Sequence, residues 1–151
     1  MVRVSRKLRF AIDAVVDIAY YGGTKPVQSR EIASRQGIPH RYLELVMQRL
    51  VHNGILRGVR GPRGGYLLAR ERRRITIGEI ARTVSQLEGA ENEDEPAPHS
   101  PLGDKVLKPF WDDLQRDVVA RLDSVTIEEL CRRAQESGVE SEARARFDFA
   151  I

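Results

Sequence analysis

The chain has 151 residues, 41% of them apolar, which suits one buried core with an appendage. Its net charge of +3 conceals a division, because residues 1–75 carry sixteen Lys and Arg against five Asp and Glu while residues 76–151 carry nine against seventeen. The front half suits a polyanion, which favours nucleic acid over a membrane, and the single cysteine, Cys131, excludes an internal disulfide or a thiolate metal cluster within the chain.

Leu8, Ala11, Ile12, Val15, Ile18 and Ala19 fall at three- and four-residue steps, which predicts a first helix over 5–21 with Ser5 as N-cap. Gly22-Gly23 ends it, and Pro26 keeps the chain extended. A second helix, Val27 to Gln36, turns Ile32 and Ala33 inward and stops at Gly37, whose tolerance of positive φ suits a sharp turn. Pro39 falls in the first turn of a third helix, where its missing N–H is harmless; Leu43, Val46, Met47 and Leu50 form the buried stripe. Asn53-Gly54 closes it. Helix, tight glycine turn and helix form a helix-turn-helix, whose second member enters the major groove.

The next segment reads Val59-Arg60-Gly61-Pro62-Arg63-Gly64-Gly65-Tyr66-Leu67-Leu68. Three glycines and a proline between apolar runs predict a hairpin wing over about 55–69, with Arg60 and Arg63 on its tip. Such a cationic hairpin suits a minor groove or a phosphate track. Arg70 and Arg72 to Arg74 follow, either tracking backbone or forming a solvated face.

Thr76 and Glu79 have capping-box spacing and open a helix with Ile77, Ile80, Ala81, Val84 and Leu87 on one face. Residues 89–104 turn acidic (Glu91, Glu93, Asp94, Glu95) and proline-rich, and read as a mobile loop. Leu107, Trp111, Leu114, Val118 and Leu122, with Phe110 alongside, then form a stripe close to a coiled-coil seam on a helix starting near Pro109. Dimerisation is the expected use of that stripe; packing against its own domain is the alternative. A second capping box, Thr126 to Glu129, starts a short last helix bearing Cys131, read as a buried small residue. Residues 137–151 read as a flexible tail.

In this order of elements, with the Arg-Gly-Pro-x-Gly-Gly-Tyr-Leu-Leu wing followed by Gly78-Glu79, residues 2–135 resemble the iron-sulfur cluster regulator (IscR) family and its relatives NsrR and CymR. The resemblance implies a mainly α fold: a winged helix-turn-helix domain over 1–88, the acidic loop, then a dimerisation helix and short final helix over 105–136. It further implies a homodimer on a pseudo-palindromic operator of double-stranded DNA. Relatives that sense through a [2Fe-2S] cluster use three cysteines and a histidine, and the matching positions here hold Glu93, His99, Lys105 and Lys108. None is a thiolate, and two are ammonium groups. The carboxylate that [4Fe-4S] relatives recruit is matched by Arg9. No cofactor and no metal ligand are therefore expected, His99 being read as solvated.

For the DNA-binding residues, the resemblance places Tyr42 and Glu44 against base edges, Glu44 accepting from cytosine N4, and sends Arg60 toward the minor groove. Glu44 alternatively is a solvated charge or an intrahelical partner of Gln48 or Arg41. His40 and Arg41 face outward, Arg41 toward phosphate or guanine. Gln28 and Ser29 offer donors to a phosphate at a helix N-terminus. Arg49 adds a phosphate contact or is solvated, and Pro62, Arg63 and Gly64 complete the wing tip. An enzyme is not expected: His40, His52 and His99 are scattered, and no nucleophile, base and orienter are arranged. The expected function is a cytoplasmic repressor without a cluster, answering to an unidentified effector or none. The alternative is an interaction regulator whose acidic loop and long helix dock a metabolic enzyme.

Overall fold

The computed structural model describes residues 4–89 and 99–141. Ser5 caps the first helix, its Oγ accepting the Leu8 amide at 3.2 Å, and the same hydroxyl donates to Glu88 at 2.8 Å. That helix, α1 (Arg6–Asp17), continues into a π-helical turn (Ile18–Gly22). Asp17 is buried at 1% exposure and is held by Arg35 Nη2 and Gln36 Nε2, both at 2.8 Å. This ties the end of α1 to α2 (Ser29–Gln36).

α2 begins two residues later than the sequence predicts, because Val27 is drawn into an antiparallel bridge with Tyr66 and Gln28 is extended. Gly37 turns the chain in the left-handed region (φ +66), as expected. Pro39 caps α3 (His40–His52) from outside rather than lying in its first turn, because its ψ of 125 is extended. Leu43, Val46, Met47 and Leu50 of α3 are all buried. The wing follows as β1 (Leu56–Val59) and β2 (Gly65–Leu68), antiparallel, with Leu56 opposite Leu68 and Val59 opposite Gly65.

The arginines beyond the wing are held by carboxylates across a 3-10 turn (Arg72–Arg74): Arg70 bonds Glu79 through both terminal nitrogens at 3.1 Å, and Arg72 meets Glu128 at 2.6 Å. The capping box at α4 (Ile77–Gly89) forms in both directions, Glu79 N to Thr76 Oγ1 at 3.2 Å and Thr76 N to Glu79 Oε2 at 3.1 Å. Residues 90–98, most of the expected acidic loop, lie outside the described residues.

The long helix starts at Pro101, well before Pro109, and runs through a π-helical turn (Gly103–Leu107) into α5 (Lys108–Asp123). Ser100 is its cap, its Oγ accepting Gly103 N at 2.9 Å, and Pro101 takes the first helical position. The last helix, α6 (Ile127–Glu136), is capped by Thr126 as predicted.

One core unites these elements. Ile127 and Cys131 of α6 pack with the buried residues of α1, α3 and α4, and Ile77 N–Val125 O and Ile127 N–Ile75 O bonds, each 2.9 Å, join the two capped starts. Burial pushes the Cys131 thiol above its ordinary value, against the opposing pull of Arg72. The expected tail at 137–151 is anchored in its first part, because the Tyr20 hydroxyl donates to Val139 O and Ser141 Oγ donates to Tyr20 O at 2.6 Å. Residues 142–151 lie outside the described residues. Because α6 completes the same core as the helix-turn-helix, Ile127→Ala is expected to destabilise the whole fold by about 2–5 kcal/mol, read as an earlier urea midpoint with an unchanged slope. A loss below about 0.5 kcal/mol would place α6 outside that core.

Candidate nucleic-acid interface

The wing is joined to the helix-turn-helix by backbone. Val27 N donates to Tyr66 O at 2.9 Å and Tyr66 N to Val27 O at 2.8 Å. This approach requires glycine: Gly65 has φ +152, and a Cβ on it would stand 2.5 Å from Val27 O. A second tie runs from Gln28 Nε2 to Pro62 O at 3.2 Å.

Between the wing and the starts of α2 and α3 lies an open groove of about 700 Å3, lined by Gln28, Ser29, Arg30, His40, Arg60 and Tyr66 among others. The N-terminus of α2 contributes backbone donors and the positive end of its dipole to this groove, which suits a phosphate. Ser29 Oγ lies 3.4 Å from His40 Nε2, and His40 Nδ1 lies 3.7 Å from Glu44 Oε1, so the three line the seam between the paired helices. Arg41, Glu44, Arg60, Pro62 and Arg63 are exposed, as their expected roles require.

Two expected contacts, Tyr42 and Arg49, turn toward other elements of the chain. Tyr42 is half-buried, its ring 5.7 Å from that of Phe10 and its hydroxyl buried, because its position on α3 turns toward α1. Arg49 is directed to α4, its Nη2 donating to Gln86 at 3.2 Å, and so supports the back of α3. Gly64 is buried under the wing tip, where a Cβ would stand 2.1 Å from Val59 O, so it shapes the turn while also lining the groove. Arg30, which the sequence does not single out, is an exposed first-turn residue of α2 on the groove wall; its place next to Ser29 at the start of α2 is the signal for it.

On the long helix, Leu107, Phe110, Trp111 and Leu114 stand out from the chain, each more than two-fifths exposed. Val118 and Leu122 are half-buried, and Leu122 packs against the chain's own core. Of the positions matched to cluster ligands, Glu93 lies outside the described residues, His99 Nδ1 lies 3.6 Å from Asp104, Lys105 is exposed and Lys108 pairs with Asp112 at 2.8 Å. Arg9 is exposed on α1.

Residues 4–133 match the Rrf2 family model, described as an iron-dependent transcriptional regulator. The chain is 33% identical over 142 residues to the HTH-type transcriptional regulator IscR of Xenorhabdus nematophila, covering 88% of this chain and 81% of the relative. Its identity to the Klebsiella pneumoniae protein of the same name is 36% over 129 residues, covering 85% and 78%. Among solved structures, T. potens IscR matches with a TM-score of 0.73 at 32% identity, covering 91% of this chain and 92% of that one. CymR of B. subtilis, described as its global cysteine regulator, matches with a TM-score of 0.68 at 29% identity, covering 88% and 98%.

Gly65→Ala tests the backbone junction. The expected outcome is a retained far-UV helical signal, faster hydrogen exchange at the Val27 and Tyr66 amides, and duplex DNA affinity about 10–100-fold lower, because a strain of about 1–3 kcal/mol falls on the wing. Unchanged exchange at both amides would show that the junction tolerates a Cβ.

Proposed function

This chain belongs to the Rrf2 family of transcriptional regulators, and from that premise we propose that it represses transcription as a cluster-free homodimer on a pseudo-palindromic operator. It is a winged helix-turn-helix DNA-binding regulator of bacterial type and not an enzyme. Among the described residues, no helix is long and apolar enough to cross a membrane. The proposed site of action is the cytoplasm, where its DNA lies.

The observation that carries the reading is the backbone junction of wing and helix-turn-helix, beside which Arg60 of the wing and His40 at the start of α3 line one groove. A face held in this way enters a major groove with α3 and reaches the flanking minor groove or phosphates with the wing. Glu44 accepts from cytosine N4, Arg41 meets phosphate or guanine, and Gln28 and Ser29 meet phosphate at the start of α2. The exposed apolar stripe on α5 supports a homodimer, because burying Phe110, Trp111 and Leu114 against a second copy removes them from water.

Cluster independence rests on the chemistry of the donor set. Lys105 and Lys108 stand at positions that the resemblance matches to cluster ligands, Lys108 paired with Asp112, and the chain's cysteine is buried on α6. These residues do not suit an iron-sulfur cluster. Repression then follows from occupancy of the operator, with any signal entering elsewhere.

Selection of sites from random duplex DNA, with iron content measured on the same sample, tests the whole reading. A two-fold-symmetric site bound by iron-free protein supports it; an absent site, or binding that requires iron, overturns it. Arg60→Ala is expected to weaken all operators and lower the salt slope by about one per protomer, whereas Glu44→Ala relaxes base preference at one position per half-site. Equal loss on every sequence for Glu44→Ala would remove its reading role. Leu114→Asp is expected to give a monomer by analytical ultracentrifugation with weak affinity for the palindrome. A dimer surviving that change would assign the stripe to another partner.

A further inference from the structure

Leu45 is 54% exposed on α3, while Leu43, Val46, Met47 and Leu50 of the same helix are essentially inaccessible. A lone exposed leucine is ordinary. The position of this one is not, because it stands in the middle of the surface that faces away from the core. At about 100° per residue, Leu45 lies within about 40° of Arg41, about 60° of Gln48 and about 20° of His52, and the core stripe centres roughly opposite. Arg41, Gln48 and His52 are all exposed and polar, and Glu44 flanks the row. Val51, 36% exposed, lies about 120° around α3 from Leu45, so within this row Leu45 is the one branched apolar side chain among polar ones.

We propose that Leu45 is a specificity-determining residue that packs against the C5-methyl group of a thymine in each half-site. The inference rests on the reading of α3 as the helix that enters the major groove. The chemistry is selective for one base feature. Leucine can neither donate to nor accept from a base edge, and the thymine methyl is the apolar group that the major-groove edges of the four base pairs present. Against any other edge, Leu45 would cover a donor or acceptor without satisfying it, which penalises the other bases at that position. Glu44 and Leu45 then form a two-residue reader, one accepting from an amino group and the other taking up a methyl. The thymine should lie within about two base pairs of the position read by Glu44, because one helical turn rises about 5.4 Å and base pairs stack about 3.4 Å apart.

The test uses the full chain and the site selected from random duplex DNA, with each thymine replaced singly and in symmetric pairs by deoxyuracil, which removes the methyl alone. For the unaltered protein, one thymine per half-site is expected to cost about fourfold in affinity on replacement, and both together about fifteenfold. Leu45→Ala is expected to bind the thymine and uracil duplexes equally, while its thermal midpoint stays close to that of the unaltered chain because the side chain lies outside the core. Uracil replacement that affects both proteins alike, or neither at any position, overturns the assignment to Leu45 while leaving the major-groove reading intact. Failure to select any site overturns the reading of α3 and this inference with it.

Discussion

Two backbone hydrogen bonds between Val27 and Tyr66 join the second strand of the wing to the start of the helix-turn-helix, while Ile55 and Leu56 bury the start of the first strand in the shared core. Each bond contributes only about 1 kcal/mol net, yet the pair fixes where the wing stands relative to the paired helices. Because both partners are main chain, the geometry depends on how closely the strands approach rather than on which side chains they carry. Gly65 permits that approach, and Gln28 adds a side-chain tie to Pro62 at the far end of the same seam. The groove between wing and helices is the space that these ties leave. A surface ordered before binding loses less conformational entropy on meeting a rigid duplex, which is where such a junction contributes to affinity.

Charge is sorted around that junction. Arg70, Arg72, Arg73 and Arg74 belong to the basic half of the chain, yet Glu71, Glu79 and Glu128 stand against them. Exposed pairs of this kind add little to stability. Their consequence is positional: they neutralise the side of the wing that leads into α4, while Arg41, Arg60 and Arg63 remain exposed on the face of α3 and the wing tip. Exposed arginines on that face attract a polyanion toward it.

What could be read from the residues alone was what a few neighbours decide. Ser5, Thr76 with Glu79, and Thr126 are caps whose partners lie three residues away, and all were legible. So was the α3 stripe, because period and burial agree. Ser100-Pro101 carried the same kind of local signal for the start of the long helix, but it followed an acidic, proline-rich segment and read as loop. The remaining differences are contacts between residues distant in sequence. Val27 leaves its helix for Tyr66, Tyr42 turns to Phe10, Arg49 turns to Gln86 and Ser141 reaches Tyr20. Periodicity cannot show these, because each depends on which element packs alongside. Asp17 is the sharpest instance: a carboxylate within an apolar run is buried because the turn between α1 and α2 brings Arg35 and Gln36 to it.

The junction of α4 and α5 links the reading face to the proposed dimer. α5 is held at its C-terminal end, where Leu122 packs on the core and Arg82 of α4 meets Asp123 at 2.6 Å. Gly78 lets that end approach, since a Cβ there would stand 1.8 Å from Asp123 Oδ1. Toward its N-terminal end the helix carries Phe110, Trp111 and Leu114 outward. A helix fixed at one end and apolar at the other behaves as an arm of set direction. In a two-fold dimer built on that stripe, the angle at which α5 leaves α4 determines the separation of the two copies of α3, and therefore which half-site spacing fits. In the cluster-free dimer proposed above, that angle would be set by the packing of Gly78 and Arg82 against Asp123. On that proposal, a ligand that shifts this packing, or that competes for the apolar end of the arm, would change the spacing and with it the operator affinity.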